Sequence, residues 1–154
     1  MKINKILVLI LLLTVVFQIN IAAAEEGSTF EETQNALGFS GGFGGSGISY
    51  RHYFSSKNGI QLTGSIYGYG NDINFNGGVV YRRVINQREK TRLLISSGVS
   101  FNRYNESLGS VLELEINPEW LENISSSVAA GYQMSQYEKL QIGPTMSVSL
   151  FYNF

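Results

Sequence analysis

Alternation of side-chain polarity with a period of two is the feature that most restricts the fold of this chain. It is clearest in the last segment, where every even position from Leu140 to Phe154 is apolar and most odd positions are small or polar. Because successive side chains of a β-strand point to opposite faces, this pattern predicts a strand with one apolar and one polar face. No stretch after residue 36 shows a convincing helical period of 3.6, so the sequence predicts an all-β fold.

Eight alternating segments follow one another and are separated by turn residues. They cover residues 36–43, 47–55, 60–70, 74–85, 91–104, 108–116, 124–134 and 140–154. Their spacing predicts an antiparallel barrel or sandwich with short connections.

Three features favour a membrane barrel, with its apolar face outside, over a soluble sandwich. The segments have about the 9–11 residues that a tilted strand needs to cross a bilayer. The polar faces carry small residues and a few charges, which suits a narrow filled interior. Aromatic residues lie on the apolar face near strand ends, as in the interfacial girdles of such barrels. The predicted girdle consists of Phe54, Phe75, Tyr81, Phe101 and Tyr132.

A bilayer also requires the sheet to close, because an open edge would leave backbone groups unpaired in hydrocarbon. The sequence therefore predicts an eight-stranded antiparallel up-and-down transmembrane β-barrel over residues 36–154.

The N-terminal residues have the composition of a secretory signal peptide. Lys2 and Lys5 precede an apolar stretch from Ile6 to Phe17, and an alanine triplet at 22–24 supplies a small-residue cleavage site. We expect residues 1–24 to be removed on export and the polar segment 25–35 to form a flexible lead.

Charge and composition exclude several classes of function. Loss of Lys2 and Lys5 with the signal peptide leaves nine basic against twelve acidic residues, so the mature chain has no basic footprint for nucleic acid. The sequence has no cysteine and one histidine, which excludes thiolate chemistry and a multi-histidine metal site. We expect neither a metal nor a cofactor.

The stretch GGFGGSG at 41–47 matches the G-x-G-x-x-G pattern of dinucleotide-binding loops. That pattern binds phosphate only between a strand and a helix, and here another alternating segment follows it. The glycines are better explained as a tight hairpin that lets strands approach closely at the barrel rim.

The polar face carries five charged residues on the second, fourth, fifth and sixth segments. They are Arg51, Arg82, Arg92, Glu113 and Glu115. Because buried charges must be paired, we expect an ion-pair network that plugs the barrel and fixes its register. The alternative is the lining of a selective pore.

The chain ends with apolar residues at alternate positions and a terminal aromatic. These residues are Met146, Val148, Leu150, Tyr152 and Phe154. This ending resembles the C-terminal assembly signature of bacterial outer-membrane barrels, and the whole mature chain resembles the small OmpA/OmpX-type barrels. The resemblance implies an outer-membrane location with both termini in the periplasm. It implies outer-membrane lipids, periplasmic chaperones and the barrel-assembly machinery as partners. The short loops depart from that family and count against an adhesin or receptor role.

His52 and Trp120 are the remaining candidates for a specific role. His52 falls on the predicted apolar face beside a periplasmic turn, whereas a lipid A deacylase would need a serine two residues later, where Phe54 stands. We expect His52 to be an interfacial residue and Trp120 to anchor the periplasmic interface. The expected role is structural or interactive and non-enzymatic. Two alternatives are a lipid-modifying outer-membrane enzyme and a soluble secreted or periplasmic barrel that binds a small apolar ligand.

Overall fold

The computed structural model describes residues 34–69, 72–88, 90–118, 120–121, 123–136 and 140–154. The predicted signal peptide 1–24 and the predicted lead as far as residue 33 lie outside the described residues. The described part of the chain contains no helix long and apolar enough to cross a membrane.

The fold is a closed antiparallel barrel of eight strands that neighbour one another in sequence order, which confirms the predicted fold class. The strands are β1 (Gln34–Gly42), β2 (Gly47–Tyr53), β3 (Asn58–Tyr69), β4 (Asp72–Arg88), β5 (Thr91–Asn102), β6 (Glu106–Ile116), β7 (Ile124–Gln136) and β8 (Leu140–Asn153). The first and last strands close the wall, with Ala36 opposite Asn153 and Gly42 opposite Ser147.

The two faces of the wall have the polarity that the alternation predicts. Inward-facing polar side chains such as Ser49, Arg51 and Arg82 are at most 1% exposed. Outward-facing apolar side chains such as Phe39 and Ile66 are 66% and 81% exposed. The barrel is thus polar inside and apolar outside, the reverse of a soluble fold.

Each strand differs from its predicted bounds by one to three residues at one end or both, and two of these differences have a visible local cause. β2 ends at Tyr53 because the backbone N–H groups of Phe54 and Ser55 both donate to the carbonyl of Asn58 and so form a turn. β4 continues to Arg88 because a bulge between Val84 and Asn86 shifts the register and lets pairing with β5 continue.

The glycine-rich stretch forms the hairpin between β1 and β2, but not at the rim as the sequence predicts. Gly42, Gly44 and Gly45 have φ values of 108°, 81° and 97°, a region that other residues rarely adopt. This backbone turns the loop into the lumen, where Phe43 is 4% exposed and packs with Val80, Val111 and Ala129. The prediction placed these glycines at the rim because the sequence does not show how far each strand extends along the barrel. We call the end of the barrel with residues 43–46 the hairpin end, and the end with Gln34 and Phe154 the terminal end.

Candidate functional site

The interior of the barrel near the terminal end holds a cluster of buried charges from β2, β4 and β6. Arg51 Nη1 lies 2.5 Å from Glu115 Oε2, and Arg82 Nη2 lies 2.5 Å from Glu113 Oε1. Arg82 also reaches Glu115, with its Nη2 3.0 Å from Oε2. The structure therefore brings four of the five predicted lumen charges into one connected group.

The group is connected across the lumen because of the strand order. β2 and β6 are four strands apart in a wall of eight, so Arg51 and Glu115 approach from opposite sides. An ion pair between opposite walls fixes their relative position, which a pair between adjacent strands could not do.

Arg92, the fifth predicted charge, lies at the edge of the cluster. Its Nη1 is 3.7 Å from Glu115 Oε1, and its side chain is 16% exposed, against 2% for that of Glu115. Glu115 thus has all three arginines within ion-pair distance.

Hydroxyl and amide groups add hydrogen bonds to the charges of the cluster. Arg51 Nη2 donates to Ser125 Oγ at 2.8 Å and to Asn153 Oδ1 at 3.0 Å. Ser96 Oγ donates to Glu113 Oε2 at 2.7 Å. Such bonds offset part of the cost of burying the ion pairs. Arg51 Nε and Arg82 Nη1 are buried without a hydrogen-bond partner among the described residues.

Two inward-facing aromatic residues, which the sequence analysis did not single out, belong to the same cluster. The guanidinium carbons of Arg51, Arg82 and Arg92 lie 5.5, 5.6 and 5.4 Å from the centre of the Tyr53 ring. The guanidinium of Arg51 also lies 4.3 Å from the centre of the Phe151 ring. These distances are within the range of cation–π attraction. Each of the two is an aromatic residue on an otherwise polar face, and this feature of the sequence could have indicated a place among the buried charges.

A layer of hydroxyl groups lies between the charges and the hairpin loop. Ser49 Oγ is 2.5 Å from Ser40 Oγ and 2.8 Å from Thr63 Oγ1. Gln61 Nε2 donates to Ser40 Oγ at 3.4 Å and to Thr63 Oγ1 at 3.3 Å. Above this layer, Phe43 covers the lumen with apolar surface. Side chains thus occupy the barrel interior over successive levels, which disfavours the alternative of a pore lining.

The predicted girdle residues face outward. Phe54, Phe75, Phe101 and Tyr132 are 38%, 52%, 41% and 68% exposed. Phe75 and Phe101 meet edge to face with ring centres 6.0 Å apart, and Tyr81 Oη donates to Asn58 Oδ1 at 2.6 Å.

The predicted C-terminal signature lies along the outer face of β8 and just beyond it. Met146, Val148, Leu150, Tyr152 and Phe154 are between 54% and 70% exposed. Backbone hydrogen bonds between Asn35 and Phe154 hold the end of the chain against β1.

His52 and Trp120 lie outside the charge cluster. His52 Nδ1 is 2.9 Å from Asn35 Oδ1, which also accepts a hydrogen bond from Tyr50 Oη at 2.7 Å. Trp120 is 80% exposed in the connection between β6 and β7. Among the described residues no group of three or more metal-ligating side chains could hold a metal ion.

The barrel has the fold of a known outer-membrane protein. It is similar to the backbone structure of Ail, an outer-membrane protein of Yersinia pestis determined in a phospholipid bilayer nanodisc, with a TM-score of 0.50 and 15% sequence identity. The match covers 80% of this chain and 99% of that one. The predicted resemblance to the OmpA/OmpX-type barrels is thereby confirmed for the fold. No protein-family model matches the sequence, and no curated protein matches it.

Proposed function

We propose that this protein is a non-enzymatic integral barrel of the bacterial outer membrane, exported through a cleaved signal peptide. The observation that carries the proposal is the inverted wall, in which Arg82 and Glu115 are at most 1% exposed while Ile66, Met146 and Val148 are at least 65% exposed. In water such a wall would expose a continuous apolar surface, whereas in a bilayer it faces acyl chains. The fold that it shares with Ail supports the same location.

The lumen cluster acts as an internal brace and a plug in this proposal. Ion pairs that join β2 and β4 to β6 hold the wall in one register, and the buried aromatic rings fill the space beside them. A filled interior supports a structural or interactive role and not conduction.

Orientation follows the predicted resemblance, with the terminal end in the periplasm and the hairpin end outside the cell. Tyr50, Phe54 and Trp120 then lie near the periplasmic interface, where aromatic side chains favour the headgroup region. Outer-membrane lipids, periplasmic chaperones and the assembly machinery are the partners that this location requires.

The test is fractionation of cells, followed by gel migration of the protein with and without boiling. We expect recovery in the outer-membrane fraction and a change of apparent mass on heating, because a closed barrel resists unfolding by detergent. Recovery in the soluble fraction without a heat shift would contradict the proposal and favour the soluble apolar-ligand alternative.

A further inference from the structure

The hairpin of β1 and β2 is joined to the rest of the wall by the shortest ladders that the structure describes. β1 pairs with β8 over residues 36–42, and β2 pairs with β3 over residues 48–53. By contrast, β3 pairs with β4 over residues 58–69, and β7 pairs with β8 from residue 124 to residue 136. Of the neighbouring strand pairs, this hairpin therefore has the least backbone hydrogen bonding to the remaining strands.

A bilayer makes the length of these ladders decisive. An unpaired backbone N–H or C=O group in hydrocarbon is costly, because no water replaces the lost partner. A wall in a membrane therefore opens most easily where the fewest such groups lose their partners. Local opening in proteins likewise begins where backbone hydrogen bonds and packing contacts are fewest. Both arguments select the two seams of the hairpin, β1 with β8 and β2 with β3.

Contacts inside the lumen hold the hairpin in place as well. Arg51 on β2 forms its ion pair with Glu115 on the opposite wall, with Nη1 2.5 Å from Oε2. At the tip of the hairpin, Phe43 packs with Val80, Val111 and Ala129. The two strands also pair with each other, residues 34–40 with residues 47–53. These inner contacts and the two seams therefore belong to a single body.

We propose that the β1–β2 hairpin detaches from the wall as one unit before any other part of the barrel opens. Detachment breaks the ion pair between Arg51 and Glu115 and takes Phe43 out of the lumen. Strands β3 to β8 stay joined as a sheet of six. The plug of the lumen and one side of the wall are thus a single moving element. This inference rests on the proposed membrane location, because the bilayer sets the cost of each broken seam.

The test is hydrogen exchange of the full chain refolded into phospholipid vesicles, resolved along the sequence by peptide mass spectrometry. We expect the central amides of β1 and β2 to exchange at one shared rate. That rate should exceed the rates of the central amides of β5, β6 and β7, because those strands have longer ladders on both sides.

A disulfide staple between β1 and β8 tests whether the hairpin moves as a unit. Asn35 and Phe154 exchange both backbone hydrogen bonds, so Ser40 and Ser149, five positions further on, face each other as a non-hydrogen-bonded pair. The side chains of such a pair are close enough for a disulfide, and the chain has no cysteine of its own. The oxidised double variant Ser40→Cys with Ser149→Cys should slow exchange in β1 and β2 alike, at least about thirtyfold. That factor corresponds to about 2 kcal/mol, the lower end of what a disulfide contributes.

The matched control is a second pair of facing serines, on β5 and β6. Ser97 and Ser110 are register partners whose Oγ atoms lie 2.7 Å apart. A disulfide in the double variant Ser97→Cys with Ser110→Cys joins two strands that stay together when the hairpin detaches. It should therefore leave exchange in β1 and β2 unchanged.

Arg51→Gln tests the inner anchor of the hairpin. The change leaves Glu115 without the ion pair that joins it to β2, so exchange in β1 and β2 should rise about a hundredfold or more, while exchange in β5 to β7 stays the same. Ala129→Cys gives a second readout, since residue 129 packs against Phe43. Its thiol should react with a small maleimide faster by the same factor when Arg51→Gln is added.

The outcomes separate this inference from the proposed function. In a protein with a normal heat shift, equal exchange in all strands or earlier opening of another strand pair would overturn the hairpin proposal alone. A β1–β8 staple that slows β1 and not β2, or equal slowing by the control staple, would also overturn it. Absence of the heat shift in the unmodified protein would overturn the membrane location and this inference with it.

Discussion

Glu115→Gln is the most informative single change in the lumen, because one carboxylate contacts three guanidiniums. Its oxygens lie 2.5 Å from Arg51 Nη1, 3.0 Å from Arg82 Nη2 and 3.7 Å from Arg92 Nη1. The substitution keeps the shape of the side chain and removes its charge. Two arginines that are at most 1% exposed would then share the single carboxylate of Glu113.

Removing one partner of a buried ion pair costs about 3–5 kcal/mol, because the remaining charge stays buried without compensation. We expect the free energy of unfolding to fall by about that amount. Arg82 keeps two contacts with Glu113, from Nε at 3.2 Å and from Nη2 at 2.5 Å, so most of the loss should arise at Arg51. Combining Arg51→Gln with Glu115→Gln should therefore cost less than the sum of the two single changes.

The assay is urea titration of the chain refolded into phospholipid vesicles, with the folded fraction read from the unheated gel band. The matched control is Glu106→Gln, at the hairpin end of the same strand, where the side chain is partly exposed. We expect that control to change stability by about 1 kcal/mol or less. If Glu115→Gln destabilises no more than Glu106→Gln, the cluster is not a brace and the reasoning fails.

Three further changes test the plug, the hairpin and the outer face by the same urea titration. Phe43→Ala should cost about 3–5 kcal/mol and Phe43→Leu less than about 1.5 kcal/mol, since only the first leaves a large cavity; equal losses would show that Phe43 does not fill the lumen. Gly44→Ala should cost about 1–3 kcal/mol, because φ is 81° and the added Cβ would meet Val80, whereas Gly143→Ala should be nearly neutral; a neutral Gly44→Ala would contradict the inward hairpin. Val148→Arg should cost about 2–4 kcal/mol at mid-wall and Leu140→Arg about 0–1 kcal/mol near the end; no difference between them would contradict a bilayer around β8.

The sequence predicted the strands and their faces because both depend on local alternation. A period of two assigns each residue to a face without knowledge of its neighbours, so Arg51, Arg82, Glu113 and Glu115 fell on the inner face by counting alone. The pairing of these arginines with these glutamates could not be predicted in the same way, since it depends on the stagger of β2, β4 and β6 around the barrel. Tyr53 and Phe151 could not be assigned to the cluster from the sequence, because an aromatic residue on a polar face does not show which charges surround it. In the fold, three arginines lie around the Tyr53 ring and Arg51 lies over the Phe151 ring.

The inward hairpin was beyond sequence reasoning for a different physical reason. The glycines at 42, 44 and 45 can adopt positive φ, but this freedom does not determine the direction in which the loop turns. That direction depends on a receiving surface built by distant residues, with Gly78 and Gly109 leaving room for the loop and Val80, Val111 and Ala129 packing on Phe43.

The short hairpin and the filled lumen have the same structural cause, which is the inward turn of the loop between β1 and β2. A hairpin of full height would complete the wall but leave its loop outside, so Phe43 could not cover the charge cluster from above. Turning the loop inward seals the lumen at mid-height and leaves the wall incomplete above the seal. A variant with the hairpin lengthened by two residues on each arm should extend its pairing with β3 and β8 while moving Phe43 off Val111. Such a variant should therefore lose stability against urea, and an unchanged urea midpoint would contradict the role of Phe43 in filling the lumen.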